Sequence, residues 1–260
     1  MIRPRIIPCL LLHQEGLVKS VNFKNYKYIG DPLNTVRIFN EKEVDELIIL
    51  DIDASVNNVE PDYKMIESLA AECNMPVCYG GGIKTIEQVL RIISLGVEKI
   101  AISSAIINDL TLIQKMVEIV GSQSIVVVLD VKKSLIGRYD IYIHNGKIRS
   151  DKNLLEFAKQ LETAGVGEIV INSIDRDGMM NGYDYDLIEK VRNVINIPLT
   201  VLGGAGSLKD IQKVIARFGL IGSAVGSLFV FKGIYKAVLI NYPSRTEKDL
   251  LIANHYEYEI

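Results

Sequence analysis

Two glycine-rich runs in the sequence have the residue types that hold phosphate groups. The runs 79–83 (YGGGI) and 202–207 (LGGAGS) each follow a short apolar stretch. A backbone without Cβ lets amide groups approach an anion closely. Small or hydroxyl-bearing residues end the next apolar stretch in both cases, at 103–104 (SS) and 226–227 (GS). These two matched sets predict a ligand that carries a phosphate group at each end.

Acidic residues near the ends of apolar stretches are candidates for proton transfer. Asp130 lies in the stretch 124–131, where an apolar wall would raise the carboxyl pKa toward general acid–base use. Two other stretches end in acidic residues, namely Asp51, Asp53, Asp175 and Asp177. For Asp51 and Asp175, capping of a loop or pairing with Arg and Lys is an open alternative.

Four further charged residues stand at or before the starts of apolar stretches: Arg5, Glu46, Lys99 and Glu168. Two cations and two anions can close a ring of salt bridges at the opposite end of a barrel. Such a ring has a structural interpretation, as a plug. It also has a functional one, as a gate on an apolar bore.

These residues can act together only in a fold that brings the ends of the apolar stretches close to one another. The hydrophobic pattern predicts such a fold. Helix-period segments such as 61–73 and 85–95, the latter with Thr85 as N-cap, alternate with eight apolar stretches: 6–12, 46–52, 76–80, 98–103, 124–131, 167–174, 198–203 and 220–226. Apolar stretches without alternation are typical of parallel strands covered on both faces. Eight strand–helix units predict an α/β fold, a single (β/α)8 TIM barrel, with an open doubly wound sheet as the alternative.

Three segments depart from this rhythm. Segments 13–30 and 132–150 each follow a predicted strand, so both are expected at the active face of the barrel. The second is predicted to form a hairpin that turns at Asn145-Gly146. The polar segment 254–260 is expected to be a surface tail.

The chain repeats itself at a spacing of 122 to 123 residues. Three stretches match: 46–53 with 168–175, 80–82 with 203–205, and 102–104 with 225–227. Three matches at one spacing predict two half-barrels, about 1–122 and 123–260, within one domain that spans 1–260.

Composition narrows the class of protein. The chain has 260 residues, which suits one α/β barrel, and 48% of them are hydrophobic. A net charge of −3 argues against a nucleic-acid binder. The N-terminal apolar stretch is too short to span a membrane, and we expect a cytoplasmic protein. Cysteine and histidine are sparse and scattered, so we expect buried thiols, no metal site and no cofactor.

The motifs together resemble the cyclase subunit of imidazole glycerol phosphate synthase, over essentially the whole chain. The most specific stretches are 5–10 (RIIPCL), Lys19 with 21–23 (VNF), 30–32 (GDP), 80–83 (GGGI), 121–123 (GSQ), 173–178 (SIDRDG), 182–184 (GYD) and 203–206 (GGAG). The resemblance implies a barrel with duplicated halves and a doubly phosphorylated substrate. It also implies a glutaminase subunit at the barrel base, from which ammonia passes through the bore.

The resemblance also implies roles for particular residues. One phosphate group would be held by Gly82, Ser103 and Ser104, and the other by Asp177, Gly178, Gly204, Gly226 and Ser227. The gate would be formed by Arg5, Glu46, Lys99 and Glu168, and catalytic roles fall on Asp130 and Lys19.

One catalytic position departs from the family pattern. The family uses a second aspartate at the end of the first strand, and this sequence has Leu11 there. Leucine transfers no proton, and loss of one acid–base group typically costs about 10²–10⁴ in rate. His13 and Glu15 lie nearby, but a substitute at either position would need a different backbone path. Two further positions differ from the family pattern: this sequence has Asp53 where the family usually has Thr, and Ser103 where it usually has Asn.

Retention of the gate and loss of the aspartate favour a divergent branch of the family. Members of that branch are associated with a glutaminase and with a separate amidotransferase that adds nitrogen to a sugar of bacterial surface polysaccharides. Two alternatives stay open. One is an authentic cyclase of histidine biosynthesis, and the other is a structural or regulatory docking subunit without an open bore.

Overall fold

The computed structural model describes residues 3–107 and 109–256, and eight parallel strands in it close into a barrel. In the order around the barrel they are β1 (Arg5–His13), β4 (Leu47–Asp51), β5 (Val77–Gly80), β6 (Lys99–Ile102), β7 (Ile125–Lys133), β10 (Glu168–Ser173), β11 (Leu199–Leu202) and β12 (Gly222–Val225). Pairing of β12 with β1 completes the ring. The predicted (β/α)8 barrel is confirmed, and the open-sheet alternative is wrong.

Helices cover the outside of the strands. They are α1 (Pro32–Glu41), α2 (Ala54–Asn57), α3 (Tyr63–Glu72), α4 (Ile86–Ser94), α5 (Leu110–Val120), α6 (Leu154–Thr163), α7 (Tyr185–Arg192), α8 (Leu208–Phe218) and α9 (Arg245–Tyr256). One helix follows each barrel strand, and the short α2 is an addition between β4 and α3. No helix in the described part of the chain is long and apolar enough to cross a membrane.

The C-terminal tail prediction needs a correction. The expected tail began at residue 254, but α9 continues to Tyr256. Residues 257–260 lie outside the described part of the chain.

Both irregular segments are antiparallel hairpins that extend a barrel strand. The strands β2 (Gly16–Val21) and β3 (Lys24–Gly30) extend β1, and β8 (Tyr139–Ile143) and β9 (Ile148–Asn153) extend β7. The second hairpin turns at Asn145-Gly146, as predicted. A third, short pair, β13 (Phe231–Lys232) and β14 (Ala237–Val238), follows β12.

The barrel strands alternate between two apolar environments. On β7, Val126 and Val128 belong to a cluster inside the barrel, whereas Val127 and Leu129 belong to the larger cluster between strands and helices. Successive side chains of a strand point to opposite faces, so both faces of each strand are buried. This explains why the sequence shows continuous apolar runs.

The repeat in the sequence has counterparts in the structure. The third residue of α4, Gln88, accepts hydrogen bonds from the Lys84 and Thr85 amides at 2.7 and 3.1 Å. The third residue of α8, Asp210, accepts from the Gly206 and Ser207 amides at 3.0 and 2.9 Å. After β6 and β12, the chain forms matching 3-10 helices, Ser104–Ile106 and Ser227–Phe229. These matches support a duplicated origin of the halves.

We expect Gln88→Ala and Asp210→Ala each to lower the free energy of unfolding by about 1 kcal/mol, because each leaves two amides without their acceptor. For a chain of this length that is a fall in melting temperature of about 2–4 °C. The distance between the halves makes the two effects add in the double variant. Thermal melting tests this, with Asp151→Ala, an exposed acidic residue, as the control. Equal melting temperatures for Gln88→Ala and the control would contradict the role of the cap.

Candidate active site

The base of the barrel holds a closed ring of four charged side chains. Arg5 binds Glu46 and also Glu168, the latter at 2.7 Å. Lys99 binds Glu46 at 2.9 Å and Glu168 at 3.0 Å, which closes the ring. Burial opposes the charge on Arg5, Lys99 and Glu168. The opposite charges outweigh it, so the pKa of Arg5 and of Lys99 is raised and that of Glu168 is lowered.

An apolar layer inside the barrel lies above this ring. It consists of the ten residues of the inner cluster: Ile7, Cys9, Ile48, Cys78, Ala101, Val126, Val128, Val170, Leu202 and Ala224. On β10 the order from base to top is Glu168, Val170 and Asn172, which share one face because they are two residues apart. The inward-facing side chains therefore form a series from the charged ring to the C-terminal ends of the strands.

A cavity of about 250 Å³ opens at that end of the barrel. The ten residues predicted for catalysis and phosphate binding line it, and so does Leu11, which stands where the family has an aspartate. They are Leu11, Lys19, Gly82, Ser103, Ser104, Asp130, Asp177, Gly178, Gly204, Gly226 and Ser227. The structure therefore brings together residues that are up to 216 positions apart, from Leu11 to Ser227 (227 − 11).

On one side of the cavity, Gly82 and Ser104 bring backbone and hydroxyl groups together. Gly82 has φ +71°, and its amide donates to the Ser55 hydroxyl at 3.2 Å. A Cβ at Gly82 would stand 2.7 Å from the Val59 carbonyl oxygen, so only glycine fits. Ser103 precedes a 3-10 helix that begins at Ser104. The arrangement offers amide and hydroxyl donors to an anion.

The other side has the same design around Gly204 and Gly226. Gly204 has φ +113°, and a Cβ there would lie 2.2 Å from the Gly182 carbonyl oxygen. Gly226 (φ −96°, ψ −89°) resembles Ser103 (φ −133°, ψ −86°) in backbone conformation, and Ser227 begins the matching 3-10 helix. The two sides of the cavity therefore follow the repeat.

Asp177 connects the β2–β3 hairpin to this second side. Its carboxylate accepts from the Ser20 hydroxyl at 2.6 Å and from the Phe23 amide at 3.2 Å. Burial raises the pKa of Asp177, and these two hydrogen bonds oppose the shift. Because a carboxylate repels a phosphate group, the contribution of Asp177 there is to fix the hairpin. The neighbouring Gly178 passes so close to Ser20 that a Cβ would meet the Ser20 carbonyl oxygen at 2.0 Å.

Lys19 places a buried amine in the cavity wall. Its side chain donates to the Cys9 carbonyl, and its Nζ lies 3.1 Å from where a Cβ of Gly226 would be. Burial lowers the pKa of Lys19, and Asp177 is among the groups that oppose the shift. Lys19 thus places its amine at the second glycine side of the cavity.

Asp130 is a buried carboxyl group in the cavity wall, two residues beyond Val128 on β7. Burial raises its pKa to about 7, against the effect of a hydrogen bond from Asn172 Nδ2 at 2.9 Å. A carboxyl group with that pKa can both accept and donate a proton near neutral pH. The strand β7 continues past Asp130 to Lys133, so Asp130 lies within the strand rather than at its end. Sequence reasoning missed Asn172, although its spacing from Glu168 and Val170 places it on the inward face.

The structure gives Leu11 a defined relation to Asp130. Leu11 pairs in register with Leu50, and Asp130 pairs with Asn172. Leu50 and Asn172 are 122 residues apart (172 − 50), the spacing of the repeat. Leu11 therefore occupies the position in the first half that Asp130 occupies in the second.

His13 does not replace the missing carboxylate. Its Nδ1 lies 2.8 Å from Asp53 Oδ1, and the Gln14 amide donates to Asp53 Oδ2 at 2.9 Å. These contacts direct the His13 ring toward the start of α2, and Tyr26, which packs on it, lines the cavity in its place. Asp53 thus fixes the turn between β1 and β2. Glu15 is exposed in that turn.

The two hairpins meet above the cavity. Asn145 donates to the Ile52 carbonyl at 2.6 Å, and the His144 amide donates to the Ser104 hydroxyl at 3.4 Å. A Cβ at Gly146 would lie 3.2 Å from the Phe23 ring of the other hairpin. The turn of β8–β9 therefore covers part of the opening. Within the described residues, no three His, Cys, Asp or Glu side chains are grouped to hold a metal ion.

Comparison with known proteins identifies the family. Residues 5–236 match the model of the family described as histidine biosynthesis protein. A Vibrio vulnificus protein, provisionally named imidazole glycerol phosphate synthase subunit hisF3, is 57% identical over 95% of this chain and 96% of its own. A Pseudomonas aeruginosa protein, provisionally named subunit hisF2, is 51% identical over 96% and 100%. The imidazole glycerol phosphate synthase subunit HisF of Natranaerobius thermophilus is 37% identical over 94% and 97%.

These matches cover nearly the whole chain, and they agree with the barrel and with the resemblance seen in the sequence. The chain belongs to the histidine biosynthesis protein family, within its HisF group of imidazole glycerol phosphate synthase subunits.

Proposed function

We propose that this barrel receives ammonia from a glutaminase subunit at its base and delivers it to a site that binds a doubly phosphorylated ligand. The cyclase step is weak or absent, and the nitrogen serves the amidation of a sugar by a separate amidotransferase. The single observation that carries this proposal is Leu11. It lies where the repeat requires the counterpart of Asp130, while the charged ring at the base is complete.

The ring and bore support passage of ammonia. Beyond the four gate side chains, the ten inner-cluster residues in the described part of the chain line the path with apolar side chains. Arg5 and Lys99 are each held between two carboxylates, so a small displacement of one side chain opens the ring without leaving a charge unpaired. A neutral small molecule crosses such a lining at little cost, whereas an ion would lose its hydration.

The paired glycine sites support a ligand with two phosphate groups. They lie on opposite sides of one cavity, and the Lys19 side chain reaches the second. This arrangement binds anions without adding basic residues to a chain of net charge −3.

Authentic imidazole glycerol phosphate synthase activity is the alternative, favoured by the intact Asp130 and by the named relatives. It would require proton transfer through Asp130 and water alone.

The deciding experiment supplies the purified barrel with ammonium and the doubly phosphorylated ribulosyl aminoimidazole substrate. We expect turnover about 10²–10⁴ below that of a HisF enzyme with both aspartates, because one of two proton-transfer groups is missing. Leu11→Asp should raise the rate, and Leu11→Asn, which has similar size but no acid, should not. A normal rate in the unaltered protein would contradict the divergent function.

The gate has its own test, made with the glutaminase, the separate amidotransferase and its sugar substrate present, so that the nitrogen has an acceptor. We expect Glu46→Trp to remove most of the label that passes from ¹⁵N-amide glutamine to the product, because the indole obstructs the bore. Label from ¹⁵N-ammonium should persist, since that nitrogen enters from the open end. Mass spectrometry of the products measures both. Glu118→Trp, on the exposed side of α5, is the control. Undiminished transfer in Glu46→Trp would favour the docking subunit without an open bore.

Binding of the doubly phosphorylated substrate tests the two glycine sites. We expect Ser104→Asp and Ser227→Asp each to weaken binding at least about tenfold, because each places a carboxylate beside one phosphate group. Isothermal titration calorimetry measures the dissociation constants, and Ser134→Asp, in the β7–β8 turn, is the control. A loss in only one of the two variants would rule out binding at both ends.

A further inference from the structure

Four side chains surround the point where the bore opens into the cavity. Leu11, Leu50, Asp130 and Asn172 each lie two residues beyond a residue of the inner cluster on the same strand, so all four are at inward-facing positions. All four line the cavity. On these four strands they are the next inward-facing groups beyond the inner cluster.

The two halves of the barrel place chemically different side chains around this opening. The repeat equates Leu50 with Asn172, and the strand register equates Leu11 with Asp130. One wall therefore has two aliphatic side chains, and the wall related to it by the repeat has a carboxylate and a carboxamide. Only the second wall can form hydrogen bonds with a polar molecule.

The Asn172 side chain has a hydrogen-bonded amide nitrogen and an amide oxygen without a donor in the described part of the chain. Asn172 is 5% exposed, and its Nδ2 donates to Asp130 at 2.9 Å. Its Oδ1 is buried and accepts no hydrogen bond from any residue that the structure describes. Such a buried acceptor typically costs about 1–3 kcal/mol if nothing donates to it. The geometry therefore calls for a ligand with N–H or O–H donors at this position.

We propose that Asp130 and Asn172 form a binding site for ammonium at the inner end of the bore, with the carboxylate and the amide oxygen as its acceptors. The assignment of ammonium rests on the proposed passage of ammonia, but the pair itself is a feature of the fold. Neutral ammonia that arrives here becomes ammonium by taking the proton of the Asp130 carboxyl group, which is left as the carboxylate. Both groups accept hydrogen bonds, and ammonium has four N–H donors. The leucine wall offers no acceptor, so ammonium would be held on one side with the cavity open beside it.

The charged surroundings are compatible with a cation. Asp177 lies near enough to raise the pKa of Asp130, so it adds negative potential at the site. The buried Lys19 amine on this cavity wall donates to the Cys9 carbonyl. Bound ammonium would stabilise the ionised form of Asp130 and so lower its pKa from about 7.

The test follows the Asp130 carboxyl group by ¹³C NMR in protein labelled at the aspartate side chains. The signal is assigned by its loss in Asp130→Asn, and pH titrations are run in ammonium chloride and in tetramethylammonium chloride at equal ionic strength. Tetramethylammonium has the same charge and no N–H. We expect ammonium to lower the pKa of Asp130 by at least about half a unit relative to tetramethylammonium.

Asn172→Leu should abolish the difference between the two salts and raise the pKa of Asp130 in both, because its hydrogen-bond donor is lost. Asn172→Ser, a smaller change, should abolish the difference too and guards against misfolding of the first variant. Asn196→Leu, at an exposed position, should keep the full difference. Equal titrations in both salts, or a full difference in Asn172→Leu, would overturn the proposal. The two proposals can fail separately. If ammonium lowers the pKa of Asp130 as expected but Glu46→Trp does not reduce nitrogen transfer, the proposed passage of ammonia is wrong and the ammonium site stands.

Discussion

Closure of eight parallel strands imposes the constraint on which the site depends. Along each strand every second side chain must point into the barrel, and the ring leaves no edge at which the register can shift. Glu168, Val170 and Asn172 follow one another on β10 for this reason, as Val126, Val128 and Asp130 do on β7. Charged base, apolar bore and polar opening are thus consecutive levels of one inward face. A slip of one residue would turn all three levels toward the helices.

Close approach of the backbone decides where anions can bind. At Gly82, Gly178 and Gly204 the left-handed backbone and the nearby carbonyl oxygens exclude any side chain. The loops of Gly82 and Gly204 are also fixed at their helix ends, because Gln88 and Asp210 accept the amides that precede their helices. Rigid loops keep amide donors in place before a ligand arrives, which lowers the entropic cost of binding. On the proposed function, anions would be bound by the geometry of these loops rather than by an excess of positive charge.

Much of this could be read from the sequence, for physical reasons. Strands buried on both faces leave uninterrupted apolar runs, and the Asn145-Gly146 turn has the residues that a type I′ turn needs. The β2–β3 hairpin was missed because its turns place Gln14, Glu15 and the pair 22–23 at positive φ, without the glycine that usually marks such turns. Asn172 was missed because its role depends on the register with Asp130, a contact between distant parts of the chain. The meaning of Leu11 likewise needed the pairing with Leu50.

The two halves of the barrel can be compared position by position. Features common to both, such as the helix caps and the 3-10 turns, belong to the strand–helix plan that the halves share. The level above the inner cluster differs, with leucines in one half and a carboxylate and an amide in the other. Two identical halves would offer a bound molecule the same groups on both sides, whereas these unequal walls make the two orientations of such a molecule inequivalent.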